Sequence, residues 1–104
     1  MSLDISIMKI QPVAVYTNNY THNVTPMWKL AGVYDALYMS EGMIAGSIVG
    51  ILNEGIQRMT LDPAAYKALE PANGWGNYDG ALRFLMAFRD ACELNADGVV
   101  EVCK

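Results

Sequence analysis

The chain is short of charge. Asp, Glu, Lys and Arg make up 17% of its 104 residues while 53% are hydrophobic, against roughly a quarter charged in ordinary globular chains. There is too little charge to cover the outside of a fold, so self-association or a partner surface is expected. The seven Lys and Arg stand singly. They form no basic stripe that could release counterions from a phosphate backbone, which argues against nucleic acid as the main ligand. A net charge of −4 is an acidic excess small enough to serve solubility alone.

Cysteine and histidine are nearly absent. Cys92 and Cys103 stand eleven residues apart with no CxxC pattern and no histidine beside them, so neither a zinc site nor a redox motif is indicated. No metal and no cofactor is expected. With no signal-peptide pattern and no disulfide framework, reduced thiols in a cytoplasm are the expectation. Long apolar runs are missing too. The longest, Met43 to Leu52, has ten residues, about half of what a bilayer span requires, and reads as a core helix.

The residues present describe one domain, 1–104, of the α+β class. Residues 5–16 are rich in β-branched side chains and alternate loosely, which predicts a strand with Pro12 at an edge or bulge. The polar stretch Thr17–Asn23 reads as a turn. Thr25-Pro26 then signals a capped helix start, and Met27, Leu30, Ala31, Tyr34, Leu37 and Tyr38 place an apolar stripe along a helix over 26–38. Ser40 predicts the cap of a central helix over 41–59. There Gly42, Gly46 and Gly50 would stack along one side at about 1 kcal/mol each relative to alanine. Such a ridge serves close backbone approach, within the chain or between two copies.

Asp62-Pro63 repeats the cap signal for a short helix to about residue 69, ended by Glu70-Pro71. A last helix is expected from Tyr78 or Asp79 to Leu94, with Asn95 as a left-handed stop. Val99–Cys103 reads as a terminal strand whose only candidate partner is the N-terminal segment. The expected architecture is therefore about four helices packed on N- and C-terminal strands that pair antiparallel.

Few residues carry chemistry. His22 is the sole side chain whose ordinary pKa lies near neutrality, and no GxSxG elbow or HExxH helix accompanies it. Its neighbourhood keeps a small hydrolase, using His22 with a nearby carboxylate, as the third alternative. The carboxylates are spread over separate helices and caps.

The most unusual segment is Asn73-Gly74-Trp75-Gly76-Asn77. Two glycines free the backbone on either side of an indole, just before a helix N-terminus with unsatisfied amide donors. It lacks both phosphate-binding fingerprints. Three roles compete for Trp75: a core plug, a protein hot spot, or a platform for a flat ring such as a nucleotide base. If the segment Tyr16–Asn23 lies beside this loop, Tyr16, His22, Asn23, Asn73 and Trp75 would line a shared cleft. Trp28, beside Met27 on a helix, is expected to be a core or interface anchor.

Tyr20-Thr21-His22-Asn23, then Ala31-Gly32 with Asp35-Ala36-Leu37-Tyr38, then Asn73–Tyr78 with Arg83-Phe84 and Ala91-Cys92, resemble in their order a family of small proteins found in bacteria and their phages. The likeness spans residues 16–103 and brings no activity and no catalytic residue. It implies an accessory protein, in a host cytoplasm if phage-encoded, that sequesters a ligand or blocks a host protein. The combined expectation is a non-enzymatic binding module that oligomerises or binds a host protein, with a nucleotide-like ligand held by His22 and Trp75 as the alternative.

Overall fold

The computed structural model of the chain describes residues 2–9 and 14–104. Three strands, β1 (Ser2–Met8), β2 (Ala14–Thr21) and β3 (Val99–Cys103), form one antiparallel sheet in the order β2-β1-β3. Beside it stand five helices, α1 (Thr25–Ala31), α2 (Tyr34–Tyr38), α3 (Val49–Leu61), α4 (Pro63–Lys67) and α5 (Tyr78–Leu94), with two 3-10 turns, His22–Val24 and Ala45–Ile48. The α+β class and the antiparallel pairing of the terminal strands, Ile5 opposite Val102, are as expected. None of these helices is long and apolar enough to cross a membrane.

The sheet has one dry face. Along β1 the buried residues Leu3, Ile5 and Ile7 alternate with half-exposed Asp4 and Ser6, the period-two pattern of a strand with one covered side. The buried set packs with Met27, Trp28, Leu52, Met59, Phe84, Leu85 and Phe88 into one hydrophobic cluster. Helix α5 supplies the longest part of that cluster through Ala81, Phe84, Leu85, Phe88 and Cys92.

Four expected elements differ from those found. The strand expected over 5–16 is two strands, and Pro12 lies outside the described residues. The polar stretch expected as a turn is strand as far as Thr21. Its asparagines and threonines are tolerated because β2 is an edge strand with one solvated face. The helix expected over 26–38 breaks after Ala31, where Gly32 takes φ +78°, and the Arg58 guanidinium donates to the Ala31 carbonyl at 2.8 Å.

The central helix starts at Val49 rather than Glu41, because the preceding backbone is committed elsewhere. Gly42 N–H donates to the Val100 carbonyl at 2.8 Å, Val100 N–H to the Met43 carbonyl at 2.9 Å, and Ala45 N–H to the Gly98 carbonyl at 2.8 Å. Glu41 adds its carboxylate, which accepts from Val102 N–H at 2.7 Å. Residues 41–45 thus seal the outer edge of β3. Ser40 is no cap; its hydroxyl is buried without a hydrogen-bond partner.

Gly42, Gly46 and Gly50 therefore share no helix face. Gly42 sits in a left-handed turn at φ +81°, Gly46 lies in the 3-10 turn with Ala96 where its Cβ would be, and Gly50 opens onto free space. The close approach occurs instead at Gly55, where an added Cβ would stand 2.2 Å from Val33 Cγ1. Trp28 is fully buried, so it anchors the core and is not available to an interface. Smaller corrections concern the caps. Asn77 caps α5, with Asp79 in its first turn, and Asn95 ends it at φ −122°, outside the left-handed region, with its side-chain amide on the Ala91 carbonyl. Thr25 lies inside α1 rather than at its cap.

Two outcomes follow from this packing. Gly55→Ala forces α3 off Val33 and is expected to destabilise the protein by about 1–3 kcal/mol in urea unfolding, whereas Gly50→Ala meets nothing and is expected to be neutral or stabilising by up to about 1 kcal/mol. Burial pushes the Cys92 thiol up to about 12, while Cys103 is exposed. Thiol titration near pH 7.5 should therefore count one reactive cysteine in the native protein and two after unfolding.

Candidate functional site

The Trp loop is built outward from Tyr20. Tyr16, Asn18 and Tyr20 occupy the helix-facing side of β2 as partly buried residues, while Val15, Thr17 and Asn19 face out. The Tyr20 ring stacks on Phe84 of α5 with centroids 6.0 Å apart and lies 6.3 Å from the Trp28 indole. Its hydroxyl accepts from Asn77 N–H at 3.2 Å. An added Cβ at Gly80 would stand 1.9 Å from that hydroxyl, so the tyrosine reaches α5 only because residue 80 has no side chain.

The loop before α5 closes on the same strand end. Asn73 Oδ1 accepts from Trp75 N–H at 2.9 Å, a local turn that directs the backbone. Gly76 takes φ +98°, and a Cβ there would be 2.6 Å from Thr21 Cγ2 and 2.9 Å from Val24 Cγ1. Only glycine permits both the angle and the contact. The consequence is an indole held beside the end of β2 yet 69% exposed, which rules out the core-plug role for Trp75.

His22 arrives on the same side through its 3-10 turn. Thr21 Oγ1 accepts from Asn23 N–H at 3.2 Å and caps the turn. The imidazole Nδ1 lies 2.8 Å from the Tyr38 hydroxyl, which lies 3.3 Å from Thr25 Oγ1. Thr25 Oγ1 in turn donates to the His22 carbonyl at 2.5 Å. Each hydroxyl has one hydrogen, so all three contacts are satisfied together only when Nδ1–H donates to Tyr38, Tyr38 to Thr25, and Thr25 to the His22 carbonyl. This closed ring of donors leaves Nε2 of a neutral imidazole as an acceptor. Burial raises the Tyr38 hydroxyl above its ordinary pKa, so Tyr38 stays protonated and keeps the ring closed.

The result is an open groove of about 560 Å³ lined by residues of three segments: Ser2 of β1, the run Asn19–Asn23, and Trp75 with Gly76. Of the five residues expected to share a cleft, the fold brings His22, Asn23 and Trp75 together. Asn73 lies behind the loop as the residue that positions Trp75. Tyr16 is elsewhere, its ring 6.2 Å from Phe88 and its hydroxyl accepting from Asn18 at 3.1 Å. Asn19 and Tyr20 were not anticipated as site residues. Their signal was the alternation of Tyr16, Asn18 and Tyr20, which marks a strand where the polar composition reads as a turn.

The groove's electrostatics are narrow. No Asp, Glu, Lys or Arg is among the described residues that line it. Three of the donors at the start of α5 are already used: Asn77 N–H by Tyr20, Tyr78 N–H by Glu70 Oε2 at 2.8 Å, and Gly80 N–H by Asn77 Oδ1 at 2.7 Å. Among the described lining residues an anionic group would find no charged side chain, and these three backbone amides already have partners. Among the described residues no group of three or more His, Cys, Asp or Glu could hold a metal ion. The imidazole's side-chain hydrogen-bond partner is a tyrosine, and no carboxylate is among the described residues that line the groove.

Compared with protein-family models, with curated protein sequences and with solved structures, the chain matches none.

Tyr20→Phe should separate the latch from the fold. Loss of the Asn77 bond is expected to cost about 1 kcal/mol in urea unfolding and to loosen the loop, read as faster acrylamide quenching of Trp75 while the buried Trp28 stays protected.

Proposed function

We propose that the protein is a non-enzymatic binding module whose recognition element is the groove between Trp75 and the Asn19–Asn23 segment, and that it takes a flat, uncharged, hydrogen-bonding ring of the nucleobase or nucleoside type. One observation carries this reading: the exposed indole and the sole imidazole face one groove. Trp75 offers a stacking surface, and stacking of a base on an aromatic side chain contributes about 1–3 kcal/mol. Asn19 and Asn23 offer amide donors and acceptors, and His22 an acceptor. Such groups read a ring edge without charge.

The absence of charged lining residues refines the nucleotide-like expectation. A phosphate would enter a groove with no counter-charge, so nucleosides should bind as well as their nucleotides or better. The same exposed tryptophan also favours a second reading, a protein partner such as a host protein, because large exposed indoles are typical hot-spot residues. An accessory role in a phage-infected cell is consistent with either form.

The expected outcome is specific. In a thermal-shift panel of nucleobases, nucleosides and nucleotides, a neutral ring compound at 100 times its Kd should stabilise by about 2.7 kcal/mol, and Trp75→Ala should abolish the shift without lowering the ligand-free Tm. If no ring compound at millimolar concentration moves the Tm, the small-ligand form is withdrawn and Trp75 is left as a protein hot spot.

A further inference from the structure

The two edges of the sheet are treated differently. The outer edge of β3 is sealed by Gly42, Met43 and the Glu41 carboxylate. That of β2 bonds to no other backbone among the described residues. Asn19 N–H turns instead onto the side chain of its own neighbour, Asn18 Oδ1, at 2.9 Å, an amide standing in for an absent strand. Among the eight residues of β2, Ala-Val-Tyr-Thr-Asn-Asn-Tyr-Thr, there is no proline, no charge and no inward-pointing lysine. These are the usual protections of an exposed edge.

From this we infer that β2 pairs antiparallel with β2 of a second copy, across a two-fold axis at Asn18, to give a dimer with one continuous six-stranded sheet. The sequence is self-complementary about that residue. With Asn18 opposite Asn18, Tyr16 falls opposite Tyr20 and Thr17 opposite Asn19, so aromatic meets aromatic on the helix side and polar meets polar on the solvent side. A strand with no formal charge meets its own copy without like-charge repulsion, and offers a charged peptide nothing on the strand to pair with. The sealed β3 edge stops further addition, so pairing closes at two subunits and does not run on into a fibre. The low overall charge, which called for a covered surface, is answered at β2 rather than at Gly42, Gly46 and Gly50. Asn19 belongs both to this edge and to the Trp75 groove, but the test reads the oligomeric state and not ligand binding.

Sedimentation over micromolar to millimolar concentration tests it, together with two double variants. Thr17 and Asn19 face solvent opposite Ser6 and Asp4 of the same chain, so substitutions there spare the core. The wild type should dimerise. Thr17→Lys with Asn19→Lys should be monomeric, with at least a tenfold weaker dimer. Thr17→Glu with Asn19→Lys, which sets opposite charges across the axis, should restore the dimer. Amide exchange in wild type should slow at residues 15–21 as concentration rises, a readout that does not depend on any variant folding. A wild type that stays monomeric to millimolar overturns the inference. So does a dimer indifferent to the lysine pair, which would place the contact elsewhere, such as the apolar groove of Met39, Met43 and Ile51. Growth beyond two subunits also contradicts it.

Discussion

One side chain joins the parts of this fold that are far apart in sequence. Tyr20 leaves the end of an edge strand, stacks on Phe84, packs near Trp28 and places its hydroxyl between Asn77 N–H and the bare Cα of Gly80. Sheet, helix α5 and the loop carrying Trp75 are positioned by that one residue. Its ring supplies apolar burial, and its hydroxyl satisfies a donor that would otherwise be left open at a helix start. An alanine at position 80 would leave no room for the hydroxyl.

A second constraint acts at the other side of Trp28. The indole lies 6.1 Å from Tyr38, and Tyr38 holds the His22 imidazole through the ring of hydroxyls that ends at the His22 carbonyl. The aromatic residues Phe84, Tyr20, Trp28, Tyr38 and His22 thus form a continuous file from the core to the groove. Packed aromatic side chains of this kind lose little additional freedom when a ligand arrives, because their rotamers are already fixed. Trp75 differs, since only its backbone is held and its ring is free to adapt.

Much of the architecture was legible in the sequence where local signals and burial agree. Val99–Cys103, the span of α5, the Asp62 cap of α4 and the antiparallel pairing of the terminal strands all follow from period, cap residue and the need of a lone strand for a partner. Three things were hidden. The asparagines of β2 carry turn chemistry, and only tertiary packing of Tyr16 and Tyr20 makes that stretch a strand. Residues 41–45 have helical composition, but their hydrogen bonds go to β3, a partner more than fifty residues away that no local pattern reveals. Gly32 and Gly42 break helices because their backbones are left-handed, and spacing alone does not distinguish such a glycine from one in a packed ridge.

The site was legible in outline for a related reason. Glycines around an indole mark a constrained loop but leave core plug, hot spot and ring platform open, and a lone histidine in a polar stretch does not say what it faces. What spacing does not give is the closure between them, which depends on Gly76 lying against Thr21 and Val24. The most direct measurement is therefore the proton NOE spectrum of the free protein. The fold described here requires cross-peaks between Gly76 and the methyls of Thr21 and Val24, together with contacts from the Tyr20 ring to Gly80 and from the His22 ring to Tyr38. A Trp75 loop with random-coil shifts and no cross-peaks to residues 20–24 would contradict it.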